Sequence, residues 1–336
     1  MRLYIDTTGG DNCPQAPVEG AITALRVHPE LTLTLGGKAE EITPLLAGCE
    51  DIRDRLDVDD CRDDITCHDA PVMAVRQKKD SPIVKGMLKV RAGECDGFVS
   101  SGSTGAVLAG GMFRLGRIPG IDRPAIAPLL PNGKGYFLLI DCGANVDCRP
   151  EYLAQFALMG SAYMERMMNL PNPRVGLLNI GAEAEKGNAL VKAAYPLLQE
   201  TSCNFVGNVE GRDITHDQCD VLVCDGFDGN IVLKFMEGVA GTLMSIIKQN
   251  LLSSFRSKIG ALLAKPAFKK VAKAMDYTEV GGAPLLGVNG AVVKAHGSSN
   301  GHAMLRAIEQ AMKMVEQHVN AEIASKLQSR TIQEEQ

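Results

Sequence analysis

Two short stretches rich in glycine and hydroxyl residues stand out for the chemistry they could do. Ser100-Ser101-Gly102-Ser103-Thr104-Gly105 and His296-Gly297-Ser298-Ser299 each follow an apolar run and open a helical pattern. Amide N–H groups at such a turn, with the hydroxyls of Ser101, Ser103 and Thr104 beside them, can hold an anion. The same residues also suit a tight turn with a Ser or Thr helix cap. Neither stretch is a G-x-x-x-x-G-K-[ST] phosphate loop or a G-x-G-x-x-G fingerprint, so a nucleotide is not implied. Lys186 lies in a glycine-flanked loop with Glu183 and Glu185. It can serve as a point charge toward phosphate or an oxyanion, or stay solvated among the glutamates. Asp225 stands just past an apolar run and before Gly226. It could orient a lysine, position a nucleophile, bind a metal or cap a helix. Asn145 and Asp147, after Gly143, carry the same ambiguity. His296 is accompanied by no G-x-S-x-G elbow and no Ser-His-Asp order, which argues against a hydrolase triad.

These residues share one kind of position. Six times an apolar run ends in a polar residue and a glycine turn, at Asp6, Ser100, Asp141, Asn179, Asp225 and His296. In a parallel sheet every such turn lies at the carboxyl edge, so the six are expected to converge on one crevice. Helical patterns follow at 17–27, 106–115, 151–168, 190–199 and 231–250, and a last helix is expected over 301–327. The alternation predicts an α/β fold with a mainly parallel sheet. A single catalytic domain over 1–327 with a cleft and a frayed tail at 328–336 follows.

The 336 residues are 45% hydrophobic and 22% charged, as in an ordinary globular protein, with 4% aromatics and no tryptophan. The ten cysteines show no C-x-x-C pair and no zinc spacing, so no metal site is expected. No signal peptide precedes the first strand, and no apolar run reaches the roughly 18–20 residues of a transmembrane helix. A cytoplasmic protein is expected, which leaves the membrane surface open to it. Net charge is −5, but residues 248–274 hold seven basic side chains and no acidic one. A basic island on an acidic body indicates a local interaction surface, and no nucleic-acid motif accompanies it.

Taken in order, the turns resemble one family over almost the whole chain. Gly9-Gly10-Asp11, the stretches 100–106 and 141–147, residues 177–181 with Lys186-Gly187, and 205–210 all occur. They are followed by 225–230 with Leu233-Lys234 and Glu237-Gly238, then 282–287, then His296-Gly297. This pattern resembles the bacterial phosphate acyltransferases, acyl-(acyl-carrier-protein):phosphate acyltransferases of phospholipid synthesis. The resemblance implies a three-layer α/β/α sandwich similar to isocitrate and isopropylmalate dehydrogenases and to phosphotransacetylase. It also implies a homodimer, a long-chain acyl thioester and inorganic phosphate as substrates, and no cofactor. The chain departs from the family pattern at Thr7, Thr8, Gly37, Ser103, Ala182 and Asp228.

On this reading Lys186 and Asp225 are the catalytic residues. Phosphate and substrate contacts are assigned to Ser100, Gly102, Ser103, Thr104, Gly105, Asn145, Asn230, His296, Gly297 and Ser298. A soluble acyl-CoA phosphotransacylase, or another enzyme on the same scaffold, is the alternative. The basic stretch places Leu252, Phe255, Ile259 and Leu263 at helical spacings, interleaved with Arg256 and Lys258, and Lys269 and Lys270 follow Pro266. It reads as an amphipathic helical hairpin for an anionic membrane surface or an acidic acyl carrier protein.

Overall fold

The computed structural model describes residues 1–275 and 281–334, with the side chains at 269, 272–275 and 329–334 left aside. The chain opens with β1 (Arg2–Asp6), α1 (Gln15–Val27), β2 (Thr32–Gly37), the single turn α2 (Ala39–Ile42) and β3 (Leu56–Asp60). Then come α3 (Pro71–Gln77), α4 (Pro82–Arg91), β4 (Gly97–Ser100) and α5 (Thr104–Gly110), which a wider π turn continues to Leu115. Two short strands, β5 (Ala125–Ile126) and β6 (Leu129–Pro131), lead into β7 (Tyr136–Ile140) and α6 (Pro150–Met168). Next are β8 (Arg174–Asn179), α7 (Ala189–Gln199), β9 (Asn204–Glu210) and β10 (Val221–Val223). The long helices α8 (Gly226–Leu251) and α9 (Phe255–Met275) follow, and β11 (Ala283–Leu286), β12 (Ala291–Lys294), α10 (Gly301–Glu316) and α11 (Val319–Glu334) close the chain.

The strands form two sheets, ordered β3-β2-β1-β4-β12-β11-β5 and β6-β7-β10-β8-β9. Most pairings are parallel, and helices cover both faces, which gives the expected three-layer α/β/α arrangement. Burial on both faces explains why runs such as Phe137-Leu138-Leu139-Ile140 are continuously apolar rather than alternating. The six polar strand ends do not share one edge, however. β1, β4 and β12 are neighbours in the first sheet, and β7, β10 and β8 in the second. The turns thus form two edges of three, because β12 returns from the far end of the chain to pair with β4 in parallel.

Three further expectations change. The C-terminal helix is two helices, since His318 takes the left-handed conformation (φ 52°) and ends the first. The second runs on to Glu334, past the tail expected to fray at 328; residues 335–336 lie outside the described ones. The hairpin turns at 252–254, and Pro266 sits inside α9. Its first arm is α8 itself. That helix is, contrary to expectation, long and apolar enough by composition to span a membrane. Lys234 and Glu237 on it pair with each other at 2.8 Å. An exposed stripe of Phe227, Ile231, Phe235, Val239 and Leu243 runs along it at four-residue spacing.

Candidate active site

At the first edge the carboxylate of Asp6, fully buried at the end of β1, organises the turn after β4. Its Oδ2 accepts from Ser100 Oγ at 2.7 Å, and its Oδ1 accepts from the Thr8 amide and hydroxyl at 2.9 and 2.8 Å. Ser100 Oγ in turn accepts from the Gly102 N–H at 2.9 Å. Burial pushes the Asp6 carboxyl up to about 6, against the opposing pull of Ser100, Thr8 and Lys294, so it is ionised at neutral pH. Ser100 and the Gly102 amide are therefore engaged with Asp6 and with each other within the turn. Ser103 holds the N-cap position of α5 without a side-chain cap bond. Gly105 packs against Pro71. After β12, His296 Nδ1 accepts from the Ser298 N–H at 3.2 Å, with Ser298 Oγ 2.8 Å away. The Gly297 carbonyl accepts from the Asp11 N–H at 2.8 Å and ties this turn to the one after β1.

The second edge is built around Asp141, also fully buried. It accepts from the amides of Ile126, Cys142 and Asn145 at 2.8, 2.7 and 2.6 Å and from Asn145 Nδ2 at 3.1 Å. Burial pushes its carboxyl to about 6, opposed by those donors. Asn145 Nδ2 also reaches the Pro124 carbonyl at 2.8 Å, and the Asn145 carbonyl accepts from the Gly226 N–H at 2.7 Å. Asn145 thus clamps the turn from inside. Asp225 caps α8, accepting from the Asp228 N–H at 2.8 Å. The first turn of α8 presses so closely on the Asp141 turn that only glycine fits there. A Cβ at Gly226 would stand 2.7 Å from the Asn145 carbonyl oxygen, and one at Gly229 1.9 Å from the Asp141 carbonyl oxygen.

Between the two edges lies a cavity of about 340 Å³. Thr104, Lys294, His296 and Ser299 line it from the first edge, and Asn230, Lys234 and Glu237 from the second. Ile126, Pro128, Leu129 and Leu233 supply apolar wall. The structure thus brings Thr104, Asn230 and His296 of the sequence-derived set to one cavity. Lys186 and Asp225 do not line it. β8 and β10 are adjacent, so their turns are neighbours, but among the described residues no ion pair joins Lys186 to Asp225. Lys186 is exposed on its loop, its carbonyl held by Asn179 Nδ2 at 3.1 Å.

Sequence reasoning missed both cavity lysines. Lys234 was part of the family pattern without a role. Lys294 left a usable signal, a charge closing the otherwise apolar strand Ala291-Val292-Val293, since lysine is almost never buried without a partner. It is 8% exposed, and burial pushes its ammonium down to about 8. Among the described residues no group of three or more His, Cys, Asp or Glu side chains is placed to hold a metal ion.

Residues 1–322 match the family model of the fatty acid synthesis protein. The chain is 46% identical to a phosphate acyltransferase of Clostridium acetobutylicum, over 98% of this chain and 99% of that one. It is 47% identical to a phosphate acyltransferase of Halalkalibacterium halodurans, over 98% of both. Its fold is similar to that of a phosphotransacetylase from Streptococcus pyogenes, with a TM-score of 0.62 and 18% identity over 94% of each chain. With near-complete coverage at this identity, the chain belongs to the phosphate acyltransferase family and is an acyltransferase.

Proposed function

We propose that this enzyme transfers a long-chain fatty acyl group from acyl carrier protein to inorganic phosphate, giving an acyl phosphate for phospholipid synthesis. The observation that carries this reading is the cavity, where two lysines, a histidine and hydroxyls meet an apolar wall. A phosphate oxygen attacks the thioester carbon, the carbonyl oxygen takes up the charge, and collapse expels the carrier's thiolate, which then gains a proton. Phosphate is already a competent nucleophile near neutral pH, so the enzyme's work is positioning and stabilising the oxyanion. Lys186 is proposed to neutralise charge on phosphate and oxyanion from the outer end of the second edge, with Asp225 setting the neighbouring turn. The thioester supplies the bond energy, so the reaction requires no cofactor. The apolar wall keeps water from the reactive mixed anhydride.

The test is palmitoyl-acyl carrier protein with inorganic phosphate, the product trapped as a hydroxamate. Phosphate-dependent hydroxamate and free carrier protein are expected, and no release under any phosphate concentration overturns the reading. Palmitoyl-CoA in the same assay separates the alternative, a soluble acyl-CoA phosphotransacylase, by the ratio of the two rates.

The α8–α9 hairpin is proposed to carry the enzyme to an anionic membrane surface from the cytoplasm. Leu252, Phe255, Ile259 and Leu263 are exposed on it beside Arg256, Lys258 and Lys270; the Lys269 side chain lies outside the described ones. Changing Leu252, Phe255 and Leu263 together to serine is expected to abolish pelleting with phosphatidylglycerol vesicles. Pelleting that persists would leave the acidic carrier protein as the partner of these charges. The four-residue stripe on α8 forms a ridge suited to helix packing, and a second copy of this chain is its proposed occupant. Phe235→Glu is expected to turn a dimer into monomers in sedimentation equilibrium. A monomeric wild type would refute this.

A further inference from the structure

We propose that Lys294 is the cation that seats inorganic phosphate in the cavity, that Lys234 faces the same anion from α8, and that Asp6 is the positioning residue behind them. The inference rests on the phosphate-transfer reading above and names its nucleophile site. An ammonium has three donors. Two of those on Lys294 go to the carbonyl oxygens of Ser101, at 3.3 Å, and of Ala295. The third is left for the cavity that the side chain lines. The two lysines come from opposite edges, β12 and α8, and stand close enough that the charge on Lys234 disfavours that on Lys294. Lys234 is paired with Glu237 on the same wall at 2.8 Å, so a phosphate held between the two lysines competes with that carboxylate for Lys234, while Lys294 has no carboxylate partner within ion-pair distance among the described residues. Thr104, His296 and Ser299 offer further polar groups on the same wall.

Asp6 does not line the cavity. It attracts Lys294 from behind, and through Ser100 it shapes the turn whose Ser101 carbonyl holds the ammonium. The charged and titratable groups around Lys294 are Asp6 on β1, Asp11 and Cys13 after it, Lys234 and Glu237 on α8, and His296 after β12. Their balance with burial leaves its pKa at about 8. Raising the pH through that value removes the positive charge, so phosphate affinity should fall on the alkaline side.

The experiment measures the KM for inorganic phosphate, the KM for acyl donor and kcat for wild type, Lys294→Met, Lys294→Arg and Lys234→Met. Thermal unfolding with and without inorganic phosphate is recorded alongside, without acyl donor. Losing a hydrogen bond to a charged group should raise the phosphate KM roughly 10- to 100-fold in Lys294→Met, with the donor KM unchanged. Phosphate should raise the wild-type unfolding temperature, but not that of Lys294→Met. Lys294→Arg should recover part of the affinity and lose the alkaline fall near pH 8. If Lys294→Met fails to fold, Lys234→Met and the wild-type pH profile carry the test. A wild-type phosphate KM in Lys294→Met overturns the inference while active wild type keeps the acyl-transfer reading. Phosphate stabilisation through Lys294 without acyl-phosphate formation would instead uphold the site and sink that reading.

Discussion

Gly229→Ala is expected to be the most damaging single-methyl change in the protein. The added Cβ would lie 1.9 Å from the Asp141 carbonyl oxygen and 2.8 Å from Cys224 Sγ, and neither can swing aside. The Asp141 turn is held by four N–H donors, and Cys224 is buried at the end of β10. Relief requires α8 to back away from the second edge, breaking the Gly226-to-Asn145 bond and moving Asn230 and Lys234 from the cavity wall. Overpacking against backbone at such distances should cost about 3 kcal/mol or more. For a chain of this size that lowers the unfolding midpoint by roughly 4 °C or more. Gly238→Ala in the same helix is the control, because its Cβ would meet nothing within 4 Å. It should be neutral or stabilising by about 0.5–1 kcal/mol, since alanine is the better helix former. Equal melting curves for the two variants would show that α8 does not lean on the Asp141 turn.

Lys186→Ala is expected to lower turnover by about two to three orders of magnitude with no change in melting temperature. Stability should hold because the ammonium makes no structural ion pair among the described residues and its side chain is exposed. The backbone of the loop keeps its shape through the Asn179 bond to the Lys186 carbonyl, which the substitution leaves intact. Single-turnover rates with saturating phosphate report the chemical step directly. A rate within about twofold of wild type would remove Lys186 from the mechanism and leave the cations to Lys294 and Lys234. Asp225→Ala differs in kind. It takes the cap from α8 and should cost about 1 kcal/mol of stability, so a lost rate there has to be read beside its melting curve.

Much of the architecture was legible because it is written in short-range pattern. Apolar runs ending in Asp6, Ser100, Asp141, Asn179, Asp225 and the Lys294–His296 segment are strands, and helices start within a residue or two of the places expected, except α8, which begins at Gly226 rather than at 231. Burial on two faces leaves that mark on any window of sequence. The misplaced boundaries have local causes that composition hides. His318 breaks a continuous apolar stripe by adopting a left-handed backbone, and Asp225 starts α8 early by capping it.

The roles of individual turn residues were less legible. Ser100 and Asn145 have the right chemistry for phosphate, but each is held by a buried carboxylate next to it. A turn must satisfy its own polar groups before it can offer any to a ligand, and sequence alone does not tell the two uses apart.

The amino-acid sequence by itself determined the α/β class, the family and the set of polar strand ends, because each depends on residues close together in the chain. Only the tertiary structure decided which ends meet. β12 pairs with β4 across nearly two hundred residues, and that pairing carries Lys294 to the wall opposite α8. A cavity between two sheets is defined by such long-range pairings, and no local spacing records them.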